Sequence, residues 1–411
     1  FMNNFFNNKF FLSLYCLIPL ALITGPFIPD LIVLILSFFI IFECLKNKVT
    51  YFLKDKIFLF FIIFFVSISL SIFVSDIKYD TFLNTLPYIR FILFTFGAYH
   101  LIRLNNNSEK ILINLFSIIF IILFIDGLYQ FIFMKNIFNY PIVEPSRVSS
   151  FFFDELIMGS YIVRFFPIFL FLILFFSKKE VLNLKLILFF FISLILILMS
   201  GERTAIYLFV IQMFLFLLLI KNHKFEKLIS IIIILCSIFL VFTSENKIKK
   251  RFINDTITAF SNENKFEYKN TDHYFIFNDF KLVLKNQNKL LGVGAKNFGN
   301  SCEKLANNEI NKTRDCPNHP HNIYLQLINE TGFLGFFIFS LFFIFILKEI
   351  INLRLNFYEH KYYNMQLCIL ISIFTNFFPI SQTGDFFNNW LSIVFFFPIP
   401  IYLKYRDLIN Y

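Results

Sequence analysis

Cys316-Pro-Asn-His319-Pro-His321-Asn322-Ile-Tyr324 stands at the mouth of an apolar run that continues as Leu-Gln-Leu-Ile-Asn-Glu-Thr-Gly332-Phe-Leu-Gly335. Histidine and asparagine are costly at the edge of a membrane helix unless something uses them. Pro320 suits the first turn of a helix, so His319 or Asn318 is expected to cap it and His321 to lie in that turn. The partial positive charge of a helix N-terminus disfavours imidazolium. A neutral ring is the form a general base needs, and the same helix end welcomes an anionic group. A capping or structural histidine is the alternative. Gly332 and Gly335 follow at helical spacing and predict close helix packing.

A second set of polar residues falls at the same predicted surface. Arg147 lies in Pro-Ser-Arg-Val-Ser-Ser, followed by the acidic pair Asp154-Glu155. Glu202 and Arg203 lie in Ser-Gly-Glu-Arg-Thr-Ala, and His273 in Thr-Asp-His-Tyr. Arginine stays charged and forks onto phosphate oxygens. Arginines at the outer edge of a membrane domain suit a lipid-linked phosphate or pyrophosphate. The alternative is an interfacial anchor whose head snorkels to the lipid surface. Arg90 and Arg164 fall inside apolar stretches, where both readings apply.

Other chemistries find no support. His319 and His321 are two apart, which is not a helical ligand pair, and no cysteine ladder or H-E-x-x-H occurs, so no metal is expected. There is no phosphate-binding P-loop, and Gly292-Val-Gly294 is too short for a dinucleotide fingerprint. No serine sits in a G-x-S-x-G elbow. No cofactor is called for.

The elements that must position these residues are membrane helices. The 411 residues are 58% hydrophobic and 16% charged, with mean hydropathy +0.70. An ordinary soluble domain is roughly 25% charged. The sequence predicts an all-α polytopic membrane protein of about twelve transmembrane helices. The expected spans are 9–24, 27–45, 57–75, 85–102, 111–133, 159–176, 183–199, 204–220, 227–243, 324–348, 363–380 and 387–404. With twelve spans, the lysine-rich loops all fall on one side: Lys46 to Lys56, Arg103 and Lys110, Lys178 to Lys185, Lys221 to Lys227, Lys348 to Lys361, and Lys404 with Arg406. The short loops opposite hold only Lys78, Lys135, Arg147 and Arg203. That bias assigns the lysine-rich side and both termini to the cytoplasm. The first span is expected to act as an uncleaved anchor.

The same topology places 244–323 outside as one large periplasmic loop with short helices, one expected at 272–285 and a turn at Gly292-Val-Gly294. The chain reads as a single membrane domain, 1–411, with that loop as its cap. The net charge of +10 is explained by basic loops beside anionic lipid and implies no nucleic acid. Cys302 and Cys316 share the outer loop, where an oxidising compartment would let them pair. The disulfide is the expectation and two free thiols the alternative.

Three motifs, spread over about 147–335, resemble those of the O-antigen ligase and O-antigen polymerase superfamily of bacterial envelope glycosyltransferases. His321-Asn322, nine residues, then Gly332-x-x-Gly335 is similar to the ligase signature. Ser-Gly-Glu-Arg203-Thr-Ala is similar to the arginine motif that opens a span. Leu-Leu-Gly-Val-Gly-Ala-Lys-Asn-Phe at 290–298 is similar to the Gly-x-Gly-x-x-x-Phe stretch of the large loop. Two departures stand out. Tyr207, with Leu208 after it, occupies the place of a leucine, and His273 stands near where ligases offer a second arginine. His273, Arg251 or Arg314 would then supply that contact.

The resemblance implies a metal-independent enzyme of the bacterial inner membrane with its site facing the periplasm. Its donor would be a glycan on undecaprenyl pyrophosphate, and its acceptor lipid A-core or another glycan. His321 becomes the base and Arg203 the pyrophosphate ligand. His273, Arg147, His319, Asn322 and Glu202 are the further candidates for contact with substrate. A repeat-unit polymerase is the alternative within the enzyme class, and a transporter of lipid-linked sugar the alternative outside it. Transporters tend to show paired broken helices with charges at the midplane, whereas these polar sites cluster at one face.

Overall fold

A computed structural model describes residues 2–105, 107–176, 179–221, 224–243, 249–262, 265–266, 271–306 and 315–410. Parts of the expected outer loop, and Arg314, lie outside the described residues. All twelve expected stretches are helical. They form α1 (Met2–Ala21), α2 (Phe27–Asn47), α3 (Lys56–Leu70), α5 (Ile89–Leu104), α6 (Ser108–Phe133), α7 (Met158–Phe176), α8 (Lys179–Ser200), α9 (Arg203–Leu219), α10 (Lys224–Thr243), α14 (Ile323–Asn356) and α15 (Tyr363–Asn376). The last stretch is divided between α16 (Asn389–Phe396) and α17 (Pro398–Asn410), with Pro398 opening the second piece, as proline does at a first helical position.

Among the described residues, five helices are long and apolar enough to cross a membrane: Phe27–Asn47, Lys56–Phe73, Ser108–Phe133, Met158–Phe176 and Ile323–Asn356. Asn8–Ala21, Leu184–Ser200 and Arg203–Leu219 are apolar but shorter. The chain is an all-α membrane protein; a count of twelve crossings remains an expectation.

Helix α7 lies at the centre. Nearly every residue from Met158 to Ile173 is buried, and α8, α9 and α15 pack around it. The peripheral helices turn phenylalanine and isoleucine outward, among them Phe38, Phe42, Ile63, Ile118, Ile125 and Phe337. In water such a surface would aggregate; in lipid it is the natural exterior. Some polar side chains inside the bundle pair with one another or with nearby carbonyls. Arg164 donates to Asn376 Oδ1 at 3.0 Å, and Gln212 Nε2 donates to the Val163 carbonyl and to Thr375 Oγ1. Arg90 is paired with Asp30 at 2.8 Å, so both intramembrane arginines have structural partners.

Smaller elements gather at one end. Helix α4 (Lys78–Thr85) precedes α5, while α11 (Asp255–Phe260), a two-residue hairpin of β1 (Ser261–Asn262) and β2 (Lys265–Phe266), α12 (Asp272–Asn286) and α13 (Phe298–Ala306) come between α10 and α14. Helix α12 matches the expected 272–285 segment and is capped by the Thr271 hydroxyl, which accepts from Tyr274 N. Val283, Phe298 and Cys302 form a small core of their own, which holds α12 against α13 beside the Cys302–Cys316 disulfide.

Candidate active site

Helix α14 begins later than the proline rule suggests. Asn322 is its cap: its backbone is extended, and its Oδ1 accepts from Tyr324 N at 3.0 Å and Leu325 N at 3.1 Å. Asparagine is among the best capping residues because one side chain takes up two otherwise unpaired N–H groups. His319 and Asn318 are therefore not caps, and His321 lies before the helix rather than in its first turn. The backbone of His321 is left-handed, with φ +52°, a conformation that costs a residue with a Cβ about 1–3 kcal/mol and persists where its surroundings impose it. Here they do: Thr383 N donates to the His321 carbonyl at 2.9 Å, and Asn322 Nδ2 donates to the Pro379 carbonyl at 2.7 Å.

His319 and His321 lie ring against ring, 4.2 Å between centroids. Burial, with the neighbouring His319 and His273, pushes the His321 imidazole down to about 4. The ring is neutral, as a base requires, but the chief cause is burial, not the helix terminus. His319 is also pushed below its ordinary value by burial, opposed by the Asp385 carboxylate and the Thr383 backbone. His273, on α12, is near enough for its charge to bear on His321.

Gly332 does not serve helix-to-helix packing. Its φ of +65° interrupts α14, and the segment 289–294 is spliced into the gap. Val293 N and Gly294 N donate to the Asn329 and Glu330 carbonyls, both at 2.9 Å, while Phe333 N and Leu334 N donate to the Lys289 and Leu290 carbonyls at 2.9 and 3.1 Å. These are the groups that two regular helical turns would have bonded to each other. A Cβ on Gly332 would stand 2.3 Å from the Leu290 carbonyl, and one on Gly292 2.5 Å from the Glu330 carbonyl carbon. Two glycine motifs far apart in sequence are one joint. Glu330 is fully buried beside it. Its carboxylate accepts from Lys296 N at 2.9 Å and Gln326 Nε2 at 3.1 Å. Gln326 Nε2 also donates to Asp385 Oδ1 at 2.6 Å, and Gln326 Oε1 accepts from Phe386 N at 2.9 Å.

The arginines form a separate group. Gly201 has φ +64°, and a Cβ there would meet the Ser146 carbonyl at 2.6 Å and Arg147 Cγ at 2.8 Å. Arg251 Nε donates to the Gly201 carbonyl at 3.2 Å, and Arg203 donates to the Arg251 carbonyl at 3.0 Å. The charges acting on Arg203 are Arg251, Asp255 and Arg147. Arg147 donates to the Leu156 carbonyl at 3.0 Å, and burial holds its guanidinium below the usual arginine range. Of the described candidates for the second arginine's place, Arg251 is the one beside Arg203, while His273 acts on His321.

Glu202, a candidate for substrate contact, is placed against α7. It is buried, and its carboxylate accepts from Gly159 N at 2.6 Å, Ser160 N at 3.1 Å and Ser160 Oγ at 2.6 Å. It caps α7 and fixes the arginine-bearing turn to it. Burial raises its pKa against the pull of those bonds and of Arg147.

The histidine pair adjoins the loop 377–388, and the arginine group connects to it only through Tyr207. Tyr207, one turn beyond Arg203, touches the Phe378 ring at 6.0 Å, while Thr383 and Pro379 hold His321 and Asn322. Thr383, Asp385, Gln326 and Glu330 escaped sequence reasoning. The available signal was the polar pentad Ser381-Gln-Thr-Gly-Asp385 between two apolar runs. Among the described residues, Asp279 gathers with Cys302 and Cys316, but those two sulfurs are bonded to each other.

Residues 188–340 match the family model Wzy_C, described as O-Antigen ligase. The match takes in Arg203, Arg251, the 289–294 segment, His321 and the Gly332 break, and leaves Arg147 and the 377–388 loop outside. No curated protein matches the chain.

Proposed function

We propose, for a chain whose residues 188–340 make it a member of the O-antigen ligase superfamily, that it is a metal-independent glycosyltransferase of the bacterial inner membrane with its site at the periplasmic face. The donor is a glycan on undecaprenyl pyrophosphate and the acceptor a hydroxyl of lipid A-core. The observation that carries this reading is the pairing of unlike groups around one loop. A neutral, half-buried histidine pair is tied to it at Thr383, and an arginine trio stands around Gly201, one helical turn from the Tyr207 ring that meets the same loop at Phe378.

His321 removes the proton of the acceptor hydroxyl. The acceptor oxygen forms its bond to the anomeric carbon as the bond to the pyrophosphate oxygen breaks, and the lipid pyrophosphate leaves with the electron pair. Direct displacement inverts the anomeric configuration. Arg203 and Arg251 hold the leaving group, with Arg147 behind them and His273 nearer the histidines. Fixed positive charge on a developing anion at a low-dielectric site is a large contribution to such a reaction. Residues 244–323 form the periplasmic cap of a single membrane domain, and 147–335 carry the reacting groups.

The glycan phenotype of a deletion strain tests the reading. Loss of all capped lipid A-core, with lipid-linked polymer accumulating, is the expected result. Capping by single repeats would instead make the acceptor another repeat unit and the enzyme a polymerase. Cysteine labelling at Lys265→Cys tests orientation: modification from the periplasm is expected, and labelling only from the cytoplasm would overturn the topology and the mechanism with it.

A further inference from the structure

We propose that α4 is an interfacial helix whose Tyr79, Phe82 and Leu83, with Leu86 just past its end, bed in the lipid leaflet at the site's end of the bundle. The partner is the boundary between acyl chains and headgroups. That leaflet is the outer one on the proposed topology, and the choice of leaflet alone rests on that reading. Counting spans leaves this stretch as a short loop in water between the third and fourth; the structure makes a helix of it.

Helix α4 carries three stripes. Tyr79, Phe82, Leu83 and Leu86 follow the i, i+3, i+4, i+7 spacing that lines up side chains on one face, and all four are exposed. Thr81 and Thr85, four apart, form a second stripe that is fully buried. Asp80, exposed, and Asn84, half-buried, form a third. A helix on the surface of a water-soluble protein turns its apolar stripe inward and its polar residues outward. Here the threonines face the protein and the apolar stripe faces away from it. Protein lies beneath, the Asp80 flank suits water, and the Phe82 flank calls for an apolar medium. A short helix with such faces lies along a membrane surface.

Lipid is the occupant because the stripe continues the apolar exterior of the bundle. Helix α3 turns Leu59, Ile63, Val66 and Leu70 outward, Phe73 is exposed just beyond it, and the α4 stripe extends that surface past the end of the span. The flanking residues fit the boundary. Tyr79 has an apolar body and a polar tip, the type enriched where membrane meets water, and the exposed Lys78 can lift its charge to the headgroups. The buried stripe keeps the helix from turning over. Thr81 Oγ1 donates to the Ile77 carbonyl at 2.8 Å and accepts from Asn297 Nδ2 at 2.5 Å. Asn297, which precedes α13, also donates to Ser75 Oγ at 3.0 Å. A Cβ on Gly294 would stand 2.7 Å from the Thr81 side chain. Helix α4 therefore lies against the segment spliced into α14, and ties that joint to the membrane surface.

The experiment reads tryptophan emission from the full-length protein in nanodiscs of phosphatidylethanolamine and phosphatidylglycerol, with acyl chains brominated or not. Trp390 is the only native tryptophan, so the wild type supplies the baseline. Phe82→Trp and Leu83→Trp, at exposed positions, should each add emission at a shorter wavelength than tryptophan in water. Brominated chains should remove most of that added emission, and acrylamide in the buffer little of it. Asp80→Trp should show the reverse. If bromination leaves both Phe82→Trp and Leu83→Trp bright, the stripe meets no lipid and the proposal fails. Quenching by acrylamide would then mean that water covers it, and shielding from both quenchers that a protein surface does. Labelling of Lys265→Cys only from the cytoplasm, with bromine quenching intact, would overturn the proposed topology and the choice of leaflet while leaving α4 in lipid.

Discussion

The histidine pair and the arginine group connect to the same loop, one through Thr383 and the other through Tyr207, but are built on opposite plans. The histidine pair is held through its backbone, by the Asn322 side-chain cap on the helix, the Thr383 N bond to the His321 carbonyl and the splice at Gly332. The arginines are held by their own guanidinium groups reaching the carbonyls of Gly201, Arg251 and Leu156, and Arg203 remains exposed. On the proposed mechanism the difference follows from what each must do. A base works only if neutral, so burial and a fixed backbone serve it. A phosphate ligand works only if charged, so contact with water serves it until substrate arrives. One region invests in shape and the other in charge.

The sharpest way to break that contrast is to remove each half. His321→Ala should lower turnover by about 10²–10⁴-fold, the usual contribution of a positioned base, while donor binding survives on the arginines. Full activity in folded protein would end the histidine mechanism. Arg203→Ala should cost roughly 10²–10³-fold, as loss of one preorganised donor to a developing anion does, with weakened donor binding. Arg203→Lys should fall between the two because it keeps charge and loses the fork. An Arg203→Ala protein with wild-type kinetics would reduce the residue to an anchor.

Backbone and charge can also be separated. Gly332→Ala forces a Cβ onto the Leu290 carbonyl in a left-handed conformation, and should cost about 1–3 kcal/mol of stability. Thermal unfolding should register the loss, with transfer lost before donor binding; unchanged unfolding would mean the splice is not held as described. The smallest effect is in pH. His321 binds its proton only as pH falls toward about 4, so kcat/KM should stay level through the neutral range and be lost below that point. In kcat the acid limb should move upward, because the bound pyrophosphate favours imidazolium. An acid limb of kcat/KM near 6.5, the ordinary histidine value, would show that the free site leaves the ring solvated.

What the sequence revealed depended on how local the cause was. The apolar runs identified the helices because each depends on its own residues. His321-Asn322, Arg203 and the two glycine pairs were visible because their chemistry is rare in such runs. The helix start was misplaced because Pro320 signals a first turn only in the absence of a stronger cap, and Asn322 is stronger. Gly332 looked like a packing residue because its partner, the 289–294 segment, lies some forty positions upstream. Arg251 was one of three choices, since only folding brings it to Arg203. Thr383 and Asp385 were missed for the same reason: nothing beside them in sequence says that they meet a histidine.

The splice at Gly332 bears on how the protein is made. Lipid offers no partners for the carbonyls of Asn329 and Glu330 or the N–H groups of Phe333 and Leu334, and the chain supplies them from residues 289–294. That segment is synthesised before α14. On the proposed topology it has already been translocated when the ribosome delivers the helix it completes. On that topology the finished segment waits for the helix, and α14 completes its hydrogen bonding only when the two have met. A delay in exporting the cap would therefore appear first as failure of a membrane helix to assemble, some distance along the chain from the fault.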